Sequence, residues 1–278
     1  MKRSDPDRES DLGAPREGER PRAGQRRRAG QRWRAEQRRR AGSQALAWTL
    51  IVLRRSPLPL TGLLGPGALA AATTTRRIAV GDWERLEVGI PADVYVSIGS
   101  TPGASIRAEP RIIDRIRLAV GDRTLRITAS DNLTTTEPME ITLQTRALSS
   151  VVARATCNVV VGAVSGAALR IVAAESADVA LDELAVDSLQ ASVSGSATLR
   201  IAGQVRVQQL DLADSATFDG ARLRCGAARI AAGGSSDADV DCRESLEVDL
   251  RDAATVRYAG RPRLRQKLAD GATLEARR

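Results

Sequence analysis

Three aspartates at alternate positions, Asp237, Asp239 and Asp241, come nearest to a chemical pattern in this chain. Alternate side chains on a strand share one face, so these carboxylates would stand in a row. Such a row can hold Ca²⁺ through oxygen ligands or divide acid and base roles across a glycosidic bond. Asp178, Asp214 and Asp252 fall near comparable small-residue segments. Solvated aspartates at turns and edges, their short side chains bonded to local backbone, account for all six better than a site does. Ser192, Ser194 and Ser196 also alternate, but the chain has no His to activate a hydroxyl. Gly233-Gly234-Ser235-Ser236 precedes no helical pattern and lacks the lysine of a phosphate cradle. The EF-hand ligand order, the GxSxG elbow and the metalloprotease motif do not occur. The expectation is a non-enzymatic chain without cofactor, in which Asp237, Asp239 and Asp241 are the weak metal candidates.

Cysteine chemistry is more specific. Cys157, Cys225 and Cys242 make an odd count with no CxxC pair, which argues against zinc. Their significance depends on the elements that carry them.

From Ile78 to Ile127 apolar residues alternate with polar ones: Leu86/Val88/Ile90, Val94/Val96/Ile98, Ile116/Leu118/Val120 and Leu125/Ile127. Pro91 and Gly121-Asp122 punctuate the runs, and Ile141/Leu143 continue them. Period two with Gly and Pro breaks means half-buried strands. Beyond Leu148 a short motif recurs, with a small residue at positions 157, 177, 197, 216, 238 and 254 followed two residues later by an apolar one. Repeats of roughly 20 residues indicate a solenoid, because one repeat cannot bury its own apolar face and the stack does so. The fold class is therefore all-β, a parallel β-helix or solenoid-like stack of roughly 20-residue coils. A sandwich of short strands is the competing architecture, and it does not require the repeating echo. Only four aromatic residues (Trp83, Tyr95, Phe218, Tyr258) lie beyond position 75, so the core must be filled by Val, Leu, Ile and Ala. Thin coils tolerate that composition.

In this frame Cys225 and Cys242 hold nearly equivalent places on successive coils, within the reach of a disulfide. The expectation is a Cys225–Cys242 bridge formed in an oxidising compartment, with Cys157 free and facing inward. The alternative is three small buried thiols.

The segment before Arg76 differs. It holds 16 basic and 7 acidic residues, whereas the rest of the chain holds 26 basic and 27 acidic ones. The net charge of +8 thus belongs to the tail. Residues 1–43 are an Arg-rich run too poor in aliphatic residues to fold alone, and are expected to be disordered. As a basic arm they could bind nucleic acid through its phosphates. Residues 44–75 are apolar and signal-like: Arg54-Arg55, then Pro57 to Gly67, then Ala68-Leu69-Ala70 as an A-x-A pattern with cleavage between Ala70 and Ala71. Arg54-Arg55 interrupts the apolar run, which argues against a transmembrane helix. A start codon near Val52 would make the Arg-rich tail an artefact of a mis-called start.

Several segments make residues 76–278 resemble the auto-transporter adhesin head domain, the GIN domain, a bacterial family of unknown function. They are Leu86-Glu87-Val88, Asp93-Val94-Tyr95-Val96, Asp122 to Ile127, Ser194-Gly195-Ser196-Ala197, Val256 to Pro262 and Asp270-Gly271-Ala272. The resemblance implies a β-solenoid in the periplasm or on the cell surface, exported behind a signal, with no catalytic residues. No cysteine directly follows the apolar segment, so lipidation is not supported.

The functional expectation is an exported envelope or surface scaffold that binds an unidentified ligand, glycan or protein. Its flat face would include Arg200, Gln208, Asp219, Arg229, Arg251 and Arg257. Two alternatives stand beside it: a carbohydrate-active or Ca²⁺-dependent β-helix using the Asp237–Asp241 face, and a nucleic-acid binder using the basic tail. The strands from Ile78 to Leu143 are expected to cap one end of the stack and residues 261–278 the other.

Overall fold

One backbone conformation recurs along the chain and sets the architecture. Ala155, Glu175, Gly195, Asp214, Gly234, Asp252 and Asp270 all have φ between 59° and 73°, and they follow one another at nearly equal intervals. Each marks the sharp corner of one coil. The computed structural model describes residues 73–277, apart from 132 and 136. The strands between corners are β9 (Asn158–Ala173), β10 (Asp178–Val193), β11 (Thr198–Leu212), β12 (Thr217–Ala232) and β13 (Asp237–Leu250). Each pairs in parallel with the coil before and after it, and the register shifts only around the bends, at Leu181/Leu184, Arg200/Ala202, Gly220/Arg224 and Cys225/Ala227. β14 (Thr255–Ala259), β15 (Arg263–Leu268) and β16 (Thr273–Ala276) extend the stack, β14 and β15 both lying on β13 and β16 on β14. The fold is a β-solenoid.

Inside each coil the alternation of buried and exposed residues breaks three times. In β10, Val179/Leu181, Leu184/Val186 and Leu189/Ala191/Val193 are buried, and the phase slips at Asp182-Glu183, at Asp187-Ser188 and at the corner Ser194–Ser196. Each coil therefore has three sides. A chain that bends must place two successive residues outward, and that costs the period-two pattern at each bend.

The corners are held between coils. The carbonyls of Glu175, Gly195, Asp214, Gly234 and Asp252 accept the N–H groups of Ser196, Ser215, Ser235, Ala253 and Gly271 at 2.7–2.9 Å. Small and acidic residues alternate at the first six corners. The carboxylates of Glu175, Asp214 and Asp252 accept the backbone N–H of Ala155, Gly195 and Gly234 in the preceding coil at 2.9–3.0 Å. Asp214 and Asp252 thus bond to the neighbouring coil rather than to their own turn. Gly195 and Gly234 have no room for a side chain, since a Cβ there would lie 2.6 and 2.5 Å from the carbonyl oxygens of Glu175 and Asp214.

Immediately after the corner comes a buried column: Ala92, Cys157, Ala177, Ala197, Ala216, Ser236 and Ala254. The sequence motif places the fifth repeat at Ala238. Strand register places it at Ser236, whose hydroxyl donates to the Gly233 carbonyl at 2.9 Å. A serine with an internal acceptor substitutes for the expected alanine, which is why the steps of the motif are uneven there. Ala238 lies two residues further on, in register with Phe218. The only phenylalanine fits because Ala238 and Gly220 beside it are small, and a Cβ on Gly220 would come within 2.4 Å of its ring.

The N-terminal end is built differently. β2 (Arg85–Val88) pairs in parallel with β6 (Thr124–Ala129) and β8 (Ser150–Ala153), and β3 (Asp93–Ile98) with β7 (Glu140–Thr145) and β9. Of these levels β2 and β3 form the second, after which β6 and β7 move out to the first and β8 and β9 return to the third. β1 (Thr74–Ile78) and β4 (Gly103–Ala108) add antiparallel to the β7 edge. The short helix α1 (Pro110–Ile113) and the hairpin of β5 (Ile116–Gly121) with β6 complete that end. The hairpin turn is Asp122-Arg123, both at positive φ, one residue beyond the Gly121-Asp122 turn read from sequence.

Residues 261–278 do not form a separate cap. Those described lie in a further coil that carries β15 and β16, and their inward positions are partly open. Among the described residues no helix is long and apolar enough to cross a membrane.

The corner glycines give a direct test. Gly195→Val or Gly234→Val must accept a left-handed φ, at about 1–2 kcal/mol, and push apart two backbone chains as well. Urea unfolding should show either variant at least that much less stable, while Asp252→Asn should lose less.

Candidate functional site

The side chains that face outward on the third side of each coil stand in straight rows, because parallel strands in register repeat every ~4.8 Å. One row runs Arg170, Gln190, Gln209, Arg229, Glu247, Arg265, and its neighbour runs Val172, Ser192, Asp211, Ala231, Asp249, Lys267. Arg229 donates to Glu247 at 2.8 Å and Lys267 to Asp249 at 3.2 Å. The Glu247 hydrogen bond and charge hold the Arg229 guanidinium still more firmly protonated than usual. Where this wall bends into the second side lies an open groove of about 540 Å³. Val207, Ala227 and Ala228 line its apolar part, with Arg229, Glu247, Arg263 and Arg265 around them. Chemically this surface can hold an amphipathic ligand.

The face expected from sequence divides three ways. Arg200, Asp219 and Arg257 lie on the first side, Arg229 lies on the third, and Arg251 follows β13 at the corner. Gln208 is not on the surface at all. It is 1% exposed, in a column between Leu189 and Ala228, with its Nε2 aimed at Cys242 Sγ 4.0 Å away. Its Oε1 has no hydrogen-bond partner among the described residues. Sequence alternation could not reveal this inward turn, because the bend at Arg206–Val207 resets the phase.

Asp237 and Asp239 do share the first side of β13, but Arg257 on the next strand occupies them. Its guanidinium lies 3.2 Å from Asp237 and 3.5 Å from Asp239, and Arg277 reaches Asp239 at 3.3 Å. Asp241 is in register with Ala259 on β14. No group of three acidic, Cys or His residues converges in a metal-binding arrangement among the described residues. The alternating serines separate as well: Ser192 faces outward on the wall, whereas Ser194 and Ser196 flank the corner residue Gly195.

Cys225 and Cys242 are register partners on β12 and β13, both buried on the second side, with Cα atoms 4.8 Å apart and their sulfurs joined as a disulfide. In-register parallel neighbours point the same way at strand spacing, which lies within the range a bridge accepts. Cys157 is free and buried in the column below the corner. Burial raises its thiol pKa to about 11. The cleavage candidates Ala70 and Ala71, and the Arg-rich run, lie outside the described residues.

A family model described as "Putative auto-transporter adhesin, head GIN domain" matches residues 82–262. Among curated proteins none matches the chain. Several crystal structures share the fold. A protein described as a "putative adhesin" from Bacteroides fragilis superposes with a TM-score of 0.70 at 19% identity, covering 74% of this chain and 97% of the other. One of the same description from Parabacteroides merdae gives 0.63 at 18%, covering 75% and 98%. A "putative lipid binding protein" from Parabacteroides distasonis gives 0.61 at 16%, again covering 75% and 98%. At these identities the likeness is one of fold.

Two measurements follow from the cysteines. Closing a loop of 17 residues is worth about 3 kcal/mol through the unfolded chain, so Cys225→Ala/Cys242→Ala should unfold at correspondingly lower urea. Cys157 has a raised folded pKa, so its contribution is complete below the unfolded value of 9.0 and is lost as pH rises toward about 11. Stability of the native chain should therefore fall over that window by about 2 kcal/mol more than that of Cys157→Ala.

Proposed function

Because the chain belongs to the auto-transporter adhesin head GIN-domain family, we propose that it is an exported, non-enzymatic surface protein that binds a glycan or protein along its solenoid wall. The observation that carries this reading is the registered wall on the third side. Two rows of short and charged side chains, rigidly spaced by the backbone, border an apolar groove. Preorganised rows of this kind meet an extended ligand at little entropic cost.

The cysteines support export. A disulfide between buried, in-register residues belongs in an oxidising compartment. The signal-like segment ending at Ala70 provides a route, and on this reading the chain through Ala70 is removed while the domain from about residue 76 is the working part. The neighbours that share the fold include proteins described as adhesins, which agrees with attachment as the role. Arg257 across Asp237 and Asp239 leaves the Ca²⁺-dependent alternative without an open carboxylate pair there.

The decisive experiment is N-terminal sequencing of the mature protein from its native host, with binding to glycan and protein arrays measured alongside. The expected start is Ala71, and Gln190→Ala/Gln209→Ala/Arg229→Ala should weaken array binding at least fivefold without lowering the melting temperature. A mature protein that still begins at Met1 sinks the export reading, and wall variants that bind as well as the native chain sink the wall.

A further inference from the structure

Among the described residues the last coil of the stack has one edge paired and the other bare: β15 pairs only with β13, and β16 only with β14. Leu264 and Leu268 occupy inward columns whose preceding members, Leu246 and Leu250, are 1% and 0% exposed. They themselves are 40% and 41% exposed. Between them Gln266 stands where the preceding coil has Val248. A strand with a free edge and two half-covered leucines is a template for another strand.

Its outward side chains say what kind. Charge alternates up one row of the wall as Arg229, Glu247, Arg265, and in the neighbouring row the anion Asp249 is followed by the cation Lys267. Both rows end on a cation. Arg263 and Arg265 have no carboxylate partner among the described residues. The next strand in the alternation would carry anions.

A second copy of this chain does not meet that requirement. Antiparallel pairing of two β15 strands would set Arg263, Arg265 and Lys267 against one another. The bare strands at the opposite end are no better, since β1 carries Arg76 and Arg77, β5 carries Arg117, and neither holds a carboxylate. Cations along an edge discourage self-association and leave the edge open to an acidic strand.

We propose that the outer edge of β15 docks an extended segment of another protein, with carboxylates at alternate positions and apolar side chains between them. The segment adds one strand to the stack. Its main chain pairs with the β15 edge, its apolar side chains cover Leu264 and Leu268, and its carboxylates reach Arg263, Arg265 and Lys267. Gln266 lies in the middle of the covered face, where the preceding coil sets Val248 beside it. The site lies at the end of the solenoid and does not rest on the adhesive reading of the wall.

The chain supplies its own probe, because Ser245–Leu250 already satisfies β15 from the other side. A labelled peptide of sequence Ser-Leu-Glu-Val-Asp-Leu is titrated with the full-length protein beside a twin carrying lysine at both acidic positions. At low salt, about 50 mM, where charge contacts are least screened, the acidic peptide should bind at least tenfold more tightly. Hydrogen exchange should slow at Arg263–Leu268, and Arg263→Glu/Arg265→Glu should reverse the preference. That double variant removes no ion pair, and its far-UV circular dichroism should match that of the native chain. Equal affinity for the two peptides, no binding of either, or protection confined to other strands would overturn the proposal.

Discussion

Everything in this protein depends on the stacking of left-handed corner residues between coils. A chain that turns three times in every coil exposes its backbone at each bend, and buried polar groups must find partners. Here the partner is the equivalent corner of the next coil. Its carbonyl accepts a backbone N–H, and an acidic side chain accepts another from the coil before. Small and acidic corner residues alternate: the carboxylates of Asp214 and Asp252 reach back to the N–H groups of Gly195 and Gly234, while a Cβ on either glycine would meet the backbone of the coil before it, at Glu175 and Asp214.

In-register stacking determines both the interior and the surface. Inward, it turns single residues into columns, so a large side chain must be balanced by a small one beside it, as Phe218 is by Ala238 and Gly220. The same rule brings Cys225 over Cys242 at strand spacing. Outward, it turns single charges into rows, which gives the wall its regularity and leaves a definite charge sequence at its last strand. A solenoid has two ends, and these are unlike. Antiparallel strands, a helical turn and a hairpin finish one, while the other stops on a strand with half-covered leucines.

How far this could be read from the residues varies with distance along the chain. The coil-length echo is legible from Cys157 to Ala216 because each corner is followed by a small buried residue and then a large one. It falters at Ser236, where a hydroxyl bonded to Gly233 does the work of a methyl group. Before Leu148 it is absent, since those levels are visited out of chain order and lack the second side. The charge rows are hidden for a related reason. Arg263–Leu268 comes one coil after Ser245–Leu250, and only the register of β15 on β13 shows that the two segments oppose each other.

The fold class follows from the residues alone: period-two alternation, a fixed repeat, an aromatic-poor core and a cysteine pair one coil apart admit little besides a stacked β-helix. Those are local or single-period properties, and a linear text carries them. Which residues face in, and which aspartates are already occupied, emerges only in the assembled stack. Gln208 turns inward because a bend resets the alternation, and Arg257 meets Asp237 from the following coil because parallel register brings it there. Phase after a bend and pairing between coils are set by the backbone hydrogen bonds of the whole stack, which no single segment contains.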